Sequence, residues 1–163
     1  MRSIGRSAAV LALLAAALFG PSPARATCTL CGCLATTLGV SFGIYDTNAP
    51  SDTTSTGSVT VTCLLSILSP GSYQISLSAG HSGSYASRSM TSAQGALSYN
   101  LHTQSGAGAP VWGDGSGGSQ QVAGSFPASL TNIQTFNIYG RITAKQNTAP
   151  GAYGDTITVT VDY

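Results

Sequence analysis

The segment that most restricts the fold of this chain is Tyr153-Gly-Asp-Thr-Ile157-Thr-Val159-Thr-Val161-Asp-Tyr163, introduced by Ala149-Pro150-Gly151. Pro150 fixes φ at the second position of a turn, and Gly151 accepts the positive φ of the third. Apolar and polar residues then alternate. Ile157, Val159, Val161 and Tyr163 point one way, and Thr156, Thr158, Thr160 and Asp162 the other, the period of a half-buried β-strand. No residue follows Tyr163 to form a further strand, so this strand's neighbouring edge is expected to need cover from elsewhere.

The same period recurs upstream. Val40, Phe42 and Ile44 predict a first strand, and Ser58–Cys63 a second with Val59, Val61 and Cys63 inward. Tyr73, Ile75, Leu77 and Ala79 predict a third after the Pro70-Gly71 turn, and Leu97, Tyr99 and Leu101 another. Residues 80–92 read as a hairpin or a crossing between sheets. Residues 103–132 are rich in glycine and serine, but thirty structureless residues are unusual inside a domain, so short strands are expected near Trp112 and Val122. Phe136, Ile138, Gly140 and Ile142 form one face of the penultimate strand. Six to eight short strands separated by Gly, Pro, Asn and Asp turns read as an all-β sandwich.

The first 26 residues read as an export signal. Arg2 and Arg6 precede an apolar run from Ala8 to Phe19, and Ala24-Arg25-Ala26 supplies a small-x-small cleavage pattern, with cleavage expected between Ala26 and Thr27. The apolar run is too short to span a membrane, so membrane contact is expected only in transit. Residues 27–163 then form one domain. They keep Arg88, Arg141 and Lys145 against five aspartates and no glutamate, a net charge of −2. Such a chain has no basic stripe for nucleic acid and no polybasic membrane patch.

Four cysteines in an exported chain default to disulfides, with three possible connectivities. Cys28-x-x-Cys31 also fits a redox pair, but no helix start adjoins it; a four-cysteine zinc site would need all four thiolates reduced. His81 and His102 stand in no catalytic motif, and Asp46, Asp52, Asp114 and Asp155 lie in turn-like text. Gly113–Gly118 lacks the repeated acidic ligands of a calcium loop and reads as a hairpin. Trp112 reads as core before it reads as a sugar platform. Arg141 points outward on its strand, as a solvated or cross-strand partner. No catalytic, cofactor or metal site is expected.

Several stretches together resemble the spore coat protein U domain family. They are Cys33 with Phe42-Gly43-Ile44-Tyr45-Asp46 nine residues on, Ser55–Cys63, Leu97–Leu101, Val111–Gly115, Tyr139–Ile142, and Pro150–Tyr153 running into Asp155–Val161. The match keeps its order over nearly all of residues 27–163.

The resemblance implies an incomplete immunoglobulin-like sandwich lacking its final strand, as in subunits of archaic chaperone–usher pili and in spore-coat proteins. It implies a periplasmic chaperone, an outer-membrane usher and neighbouring subunits as partners, with display at the cell surface and roles in adhesion or biofilm. Ile157, Val159, Val161 and Tyr163 become the expected strand-accepting edge and groove. The resemblance also implies a Cys33–Cys63 disulfide, leaving Cys28 and Cys31 to pair with each other or stay labile. Only Thr27–Gly32 would precede Cys33, about 20 Å of strand with Leu30 as its one sizeable aliphatic side chain. A chain of this kind is expected to accept a strand more readily than to donate one, as a terminal or coat-type subunit would. The alternative is a self-contained secreted module or tip adhesin that recognises a glycan or a surface, with exposed aromatics around Trp112.

Overall fold

The computed structural model describes residues 32–64 and 70–163. The described residues form eight strands: β1 (Gly32–Leu38), β2 (Thr53–Leu64), β3 (Gly71–Leu77), β4 (Arg88–Ser92), β5 (Gly95–His102), β6 (Val122–Phe126), β7 (Thr131–Ile142) and β8 (Val159–Asp162). One sheet runs β1-β2-β7-β5-β4, the other β6-β3-β8, and every ladder within them is antiparallel. The expected all-β sandwich is present.

The longest ladder is β2 on β7, paired from Thr53↔Ile142 to Leu64↔Thr131. Period-two alternation sends Val59, Val61 and Cys63 inward to full burial, while Thr60 on the outer face meets Thr135, hydroxyl to hydroxyl at 2.9 Å. Opposite them, the smaller sheet contributes Tyr73, Ile75, Leu77 and Phe126, all buried. Tyr73 stacks on Phe126 and meets Phe136 edge-on, and its hydroxyl donates to Gln134 Oε1 at 2.6 Å.

Two strand expectations need correction. Val40, Phe42 and Ile44 do not form the first strand; β1 lies earlier, where Cys33 pairs with Cys63. The chain leaves the sheet at Gly39 and turns under it at Gly43, whose φ is +69°. Val40 and Phe42 then fill the space above two glycines of the inner face, Gly57 and Gly140. Ile44 gains nothing from its place in the alternation and is 96% exposed. The terminal strand is also shorter than its alternation. Only residues 159–162 pair with β3, while Gly154 exchanges backbone bonds with Thr91 of β4 at 2.9 and 3.1 Å. The segment thus crosses from the edge of one sheet to the edge of the other, keeping its alternation but losing a single ladder. Between 103 and 132, Val122 lies in β6 as expected, whereas Val111 and Trp112 make only isolated bridges.

Two devices brace the sandwich, one within the larger sheet and one between the sheets. The Cys33–Cys63 disulfide fastens edge strand β1 to β2. Arg88 on β4 is fully buried, and its guanidinium spans both sheets. Nε and Nη2 donate to Ser78 O at 3.0 and 2.8 Å, Nη2 also to Trp112 O at 2.7 Å, and Nη1 to Asn100 Oδ1 at 2.8 Å. Trp112, itself 1% exposed, donates Nε1–H to Ile75 O. A glycan platform at Trp112 is therefore ruled out; the ring is core.

Replacing Arg88 by Met removes these donors and strands the Ser78 and Trp112 carbonyls, while Asn100 Oδ1 keeps the Leu101 N–H. The expected loss is about 3–5 kcal/mol of unfolding free energy, measurable by urea denaturation. A loss below about 1 kcal/mol would show that the clamp is dispensable.

Candidate functional site

The C-terminal segment is the place to look, because among the described residues β8 pairs with a strand on one side only. Ser78 N–H donates to Thr158 O at 2.9 Å, so residues 158, 160 and 162 direct their backbone groups toward β3. It follows that the N–H and C=O groups of Val159 and Val161 face the open edge. Their side chains, with Ile157, turn inward onto the core, while Thr156, Thr158 and Thr160 are exposed. An unpaired row of main-chain groups thus borders an apolar surface.

That surface continues as a trough. A cavity of about 260 Å³ lies between Thr37–Val40 and Phe42 on one flank and Tyr153–Val159 on the other, floored by Ile138, Leu101, Tyr99 and Met90. It adjoins a second cavity of about 1090 Å³ between residues 40–47 and 148–153, sharing Val40, Phe42, Met90 and Tyr153 with the first. Segment 39–46 belongs to neither sheet. It is held by side chains instead: Ser55 Oγ donates to Ser41 O at 2.6 Å, and Tyr45 Oη donates to Thr143 O at 2.9 Å and accepts from Gln146 N–H at 2.8 Å. The trough therefore has backbone along both flanks and a mainly apolar floor.

One polar group reaches this floor. Tyr99 Oη donates to Asp155 Oδ2 at 2.7 Å, and Asp155 Oδ1 accepts from the N–H groups of His81 and Thr156 at 2.9 and 2.8 Å. Burial, then the Asp155 bond, push the Tyr99 phenol far above its ordinary value. The pair is a fixed polar stop in an apolar channel, with Tyr99 packed edge-on against Phe42.

Of the residues singled out in the sequence, Ile157 and Val159 line the trough, Val161 packs on the core beyond it, and Tyr163 is 49% exposed at the end of β8. Cys33 and Cys63 are bonded to each other. Ala26, Thr27, Cys28 and Cys31 lie outside the described residues. The floor residues Met90, Tyr99, Leu101 and Ile138 were legible as strand faces but not as a site. The clearest missed signal is Gly140, a glycine at an inward position of a strand, which marks a close approach. A Cβ there would meet Val40 Cγ1 at 2.5 Å and the Phe42 ring at 2.7 Å.

A family model for the spore coat protein U domain matches residues 22–160. The chain belongs to that family. Among solved structures it is similar to a chain of the chaperone–tip adhesion subunit pre-assembly complex from the archaic chaperone–usher Csu pili of Acinetobacter baumannii, at 24% identity and a TM-score of 0.54. The similarity covers 82% of this chain and 40% of that one, and at this identity it concerns the fold. No curated protein matches.

Neither histidine of this spore coat protein U domain lines the trough. His81 contributes a backbone N–H to Asp155. His102 is buried, with Nδ1 2.8 Å from Ala109 O and Nε2 3.3 Å from Arg141 Nη2, so both ring nitrogens are engaged. Burial, with the charges of Arg141 and the more distant Arg88, holds its imidazole below the ordinary 6.5 despite the Ala109 bond.

Two outcomes follow. Gly140→Ala should drive Val40 and Phe42 off the sheet and cost about 1–3 kcal/mol, read by chemical denaturation. The native state takes up the His102 proton less readily than the unfolded chain. The His102 contribution to stability is therefore intact above about pH 6.5 and is lost as pH falls toward the lower folded value. The melting temperature should decline in that window, and His102→Gln should flatten this part of the profile.

Proposed function

We propose that this spore coat protein U domain is a structural, non-enzymatic subunit of a surface fibre of the archaic chaperone–usher type, or of a coat, built by strand addition at the β8 edge. One observation carries the reading: the open backbone edge of Val159 and Val161 lies beside an apolar trough that no strand among the described residues fills. A strand laid there would pair its backbone with β8 and send alternate side chains down to Met90, Leu101 and Ile138. Left open, such an edge is an aggregation hazard, which is a physical reason for a periplasmic chaperone to hold it before a neighbouring subunit does.

The address fits this route. Residues 1–26 act as the export signal, cleaved between Ala26 and Thr27, and residues 27–163 form the domain delivered to the periplasm and then, through an outer-membrane usher, to the cell surface. Adhesion or biofilm support would be the fibre's role.

The test uses the β8 geometry. Val161→Pro removes an N–H that faces the open edge while sparing the ladder to β3, whereas Thr160→Ala alters only the exposed face. Co-expressed with a periplasmic chaperone of the archaic chaperone–usher type, the Val161→Pro chain should be captured more weakly by about 1–3 kcal/mol, from the lost bond and the unsatisfied group opposite it. Thr160→Ala should be captured normally. Full capture of Val161→Pro, or a wild-type chain that accumulates as a stable monomer without partners, would overturn the proposal.

A further inference from the structure

The outer face of the five-stranded sheet carries another cavity of about 390 Å³, between β2, β7 and the loop that follows β5, with charged and hydroxyl groups set in a largely apolar lining. Its base is two cross-strand pairs, Thr54↔Arg141 and Thr56↔Tyr139. Neighbouring pairs on one face lie about 7 Å apart along the strand and about 5 Å across it. Four side chains thus frame a patch the size of one sugar ring, with Asp52 and Gln104 at its rim.

Arg141 is held ready there without being neutralised by its hydrogen-bond partners. Nη1 donates to Gly106 O and Nη2 to His102 Nε2, both at 3.3 Å, and both acceptors are uncharged. The buried His102 is itself fixed by Ala109 O at 2.8 Å, which leaves Nε2 as the acceptor. Asp52 Oδ2 stands 3.8 Å from Arg141 Nε, close enough for charge attraction but too far for a hydrogen bond. Asp52 Oδ1 accepts from Ala144 N–H at 3.0 Å, so Oδ2 is the oxygen that faces the guanidinium.

We propose that this cavity binds a neutral pyranose sugar, with Arg141 donating to one ring hydroxyl, Asp52 accepting from its neighbour, and the half-buried Tyr139 ring lying against the apolar face of the sugar. Adjacent hydroxyls each donate and accept, so a guanidinium beside a carboxylate reads a diol that neither charge would read alone. The charge balance selects against an acid. Arg141 and Asp52 cancel, leaving no net field to draw an anion in, and a ligand carboxylate would face Asp52. The cavity is on the opposite face of β7 from the trough, because residues 139 and 141 alternate with 138, 140 and 142. A subunit with its trough filled would keep the sugar site open.

Saturation-transfer NMR and calorimetry with methyl glucoside, galactoside and mannoside, and with glucuronate, test this on the full mature chain in complex with its chaperone, the chaperone alone serving as blank. At least one neutral hexoside should bind in the millimolar range. Arg141→Gln and Asp52→Asn should each weaken it tenfold or more without changing chaperone capture; the asparagine keeps the oxygen that Ala144 needs. Binding of glucuronate alone, binding that survives both substitutions, or no hexoside binding by the wild-type complex would each overturn the assignment.

Discussion

Strands in a sheet lie about 4.8 Å apart, so three strands facing five leave roughly 10 Å of the larger sheet's inner face with no strand above it. In this protein that width falls over Ile138, Leu101, Tyr99 and Met90. Two non-ladder segments, 39–46 and 148–158, partly cover it with Val40, Phe42, Tyr153 and Ile157. Such cover buries apolar surface but leaves main-chain groups along both flanks without a strand partner. Hydrophobic packing is satisfied more cheaply than hydrogen bonding here, and that imbalance locates the site.

The rest of the fold is arranged so that this opening does not propagate. The flank formed by β1 is anchored by the Cys33–Cys63 bond, which closes a loop of 30 residues' separation, worth about 3–4 kcal/mol in the chain-entropy picture. The far side is anchored by Arg88, whose bonds to Ser78, Asn100 and Trp112 join β4 to both sheets. A charged clamp is an unusual choice for a core, but carbonyl groups at strand exits need donors, and one guanidinium supplies five in a fixed plane. Asp155 does the corresponding work at the crossing of the C-terminal segment, where Gly80, at φ +69°, makes room for its carboxylate.

Period-two alternation made most of this legible in advance. The inward faces of β2, β3, β5 and β7 could be written down from the sequence, and so could the terminal segment as a strand with an unmet edge. Alternation failed where it was necessary but not sufficient. Val40, Phe42 and Ile44 carry the pattern, yet whether a segment joins a ladder depends on what lies beside it. Gly57 and Gly140 offered a hollow that Val40 and Phe42 fill better than a sheet position would allow. The same limit hid the length of β8, since residues 153–158 alternate equally well while changing sheets. The buried guanidinium and the orientation of Arg141 by His102 depend on contacts between residues 10 to 39 positions apart. No local pattern encodes them.

Strand β7 shows how one sequence serves two surfaces. Ile138, Gly140 and Ile142 face the interior, where glycine at the middle position lets segment 39–42 close over the sheet. Tyr139 and Arg141, interleaved with them, face outward beside Thr54 and Thr56. A one-residue slip in the β2–β7 register would exchange the two sets, placing a guanidinium in the trough and an isoleucine in the outer cavity. Both surfaces therefore depend on the same twelve-residue ladder, and the inward burial of Val59, Val61 and Cys63 from β2 sets its register. Loss of that register would abolish the trough and the outer cavity together, whereas a defect in either face alone would leave the other intact.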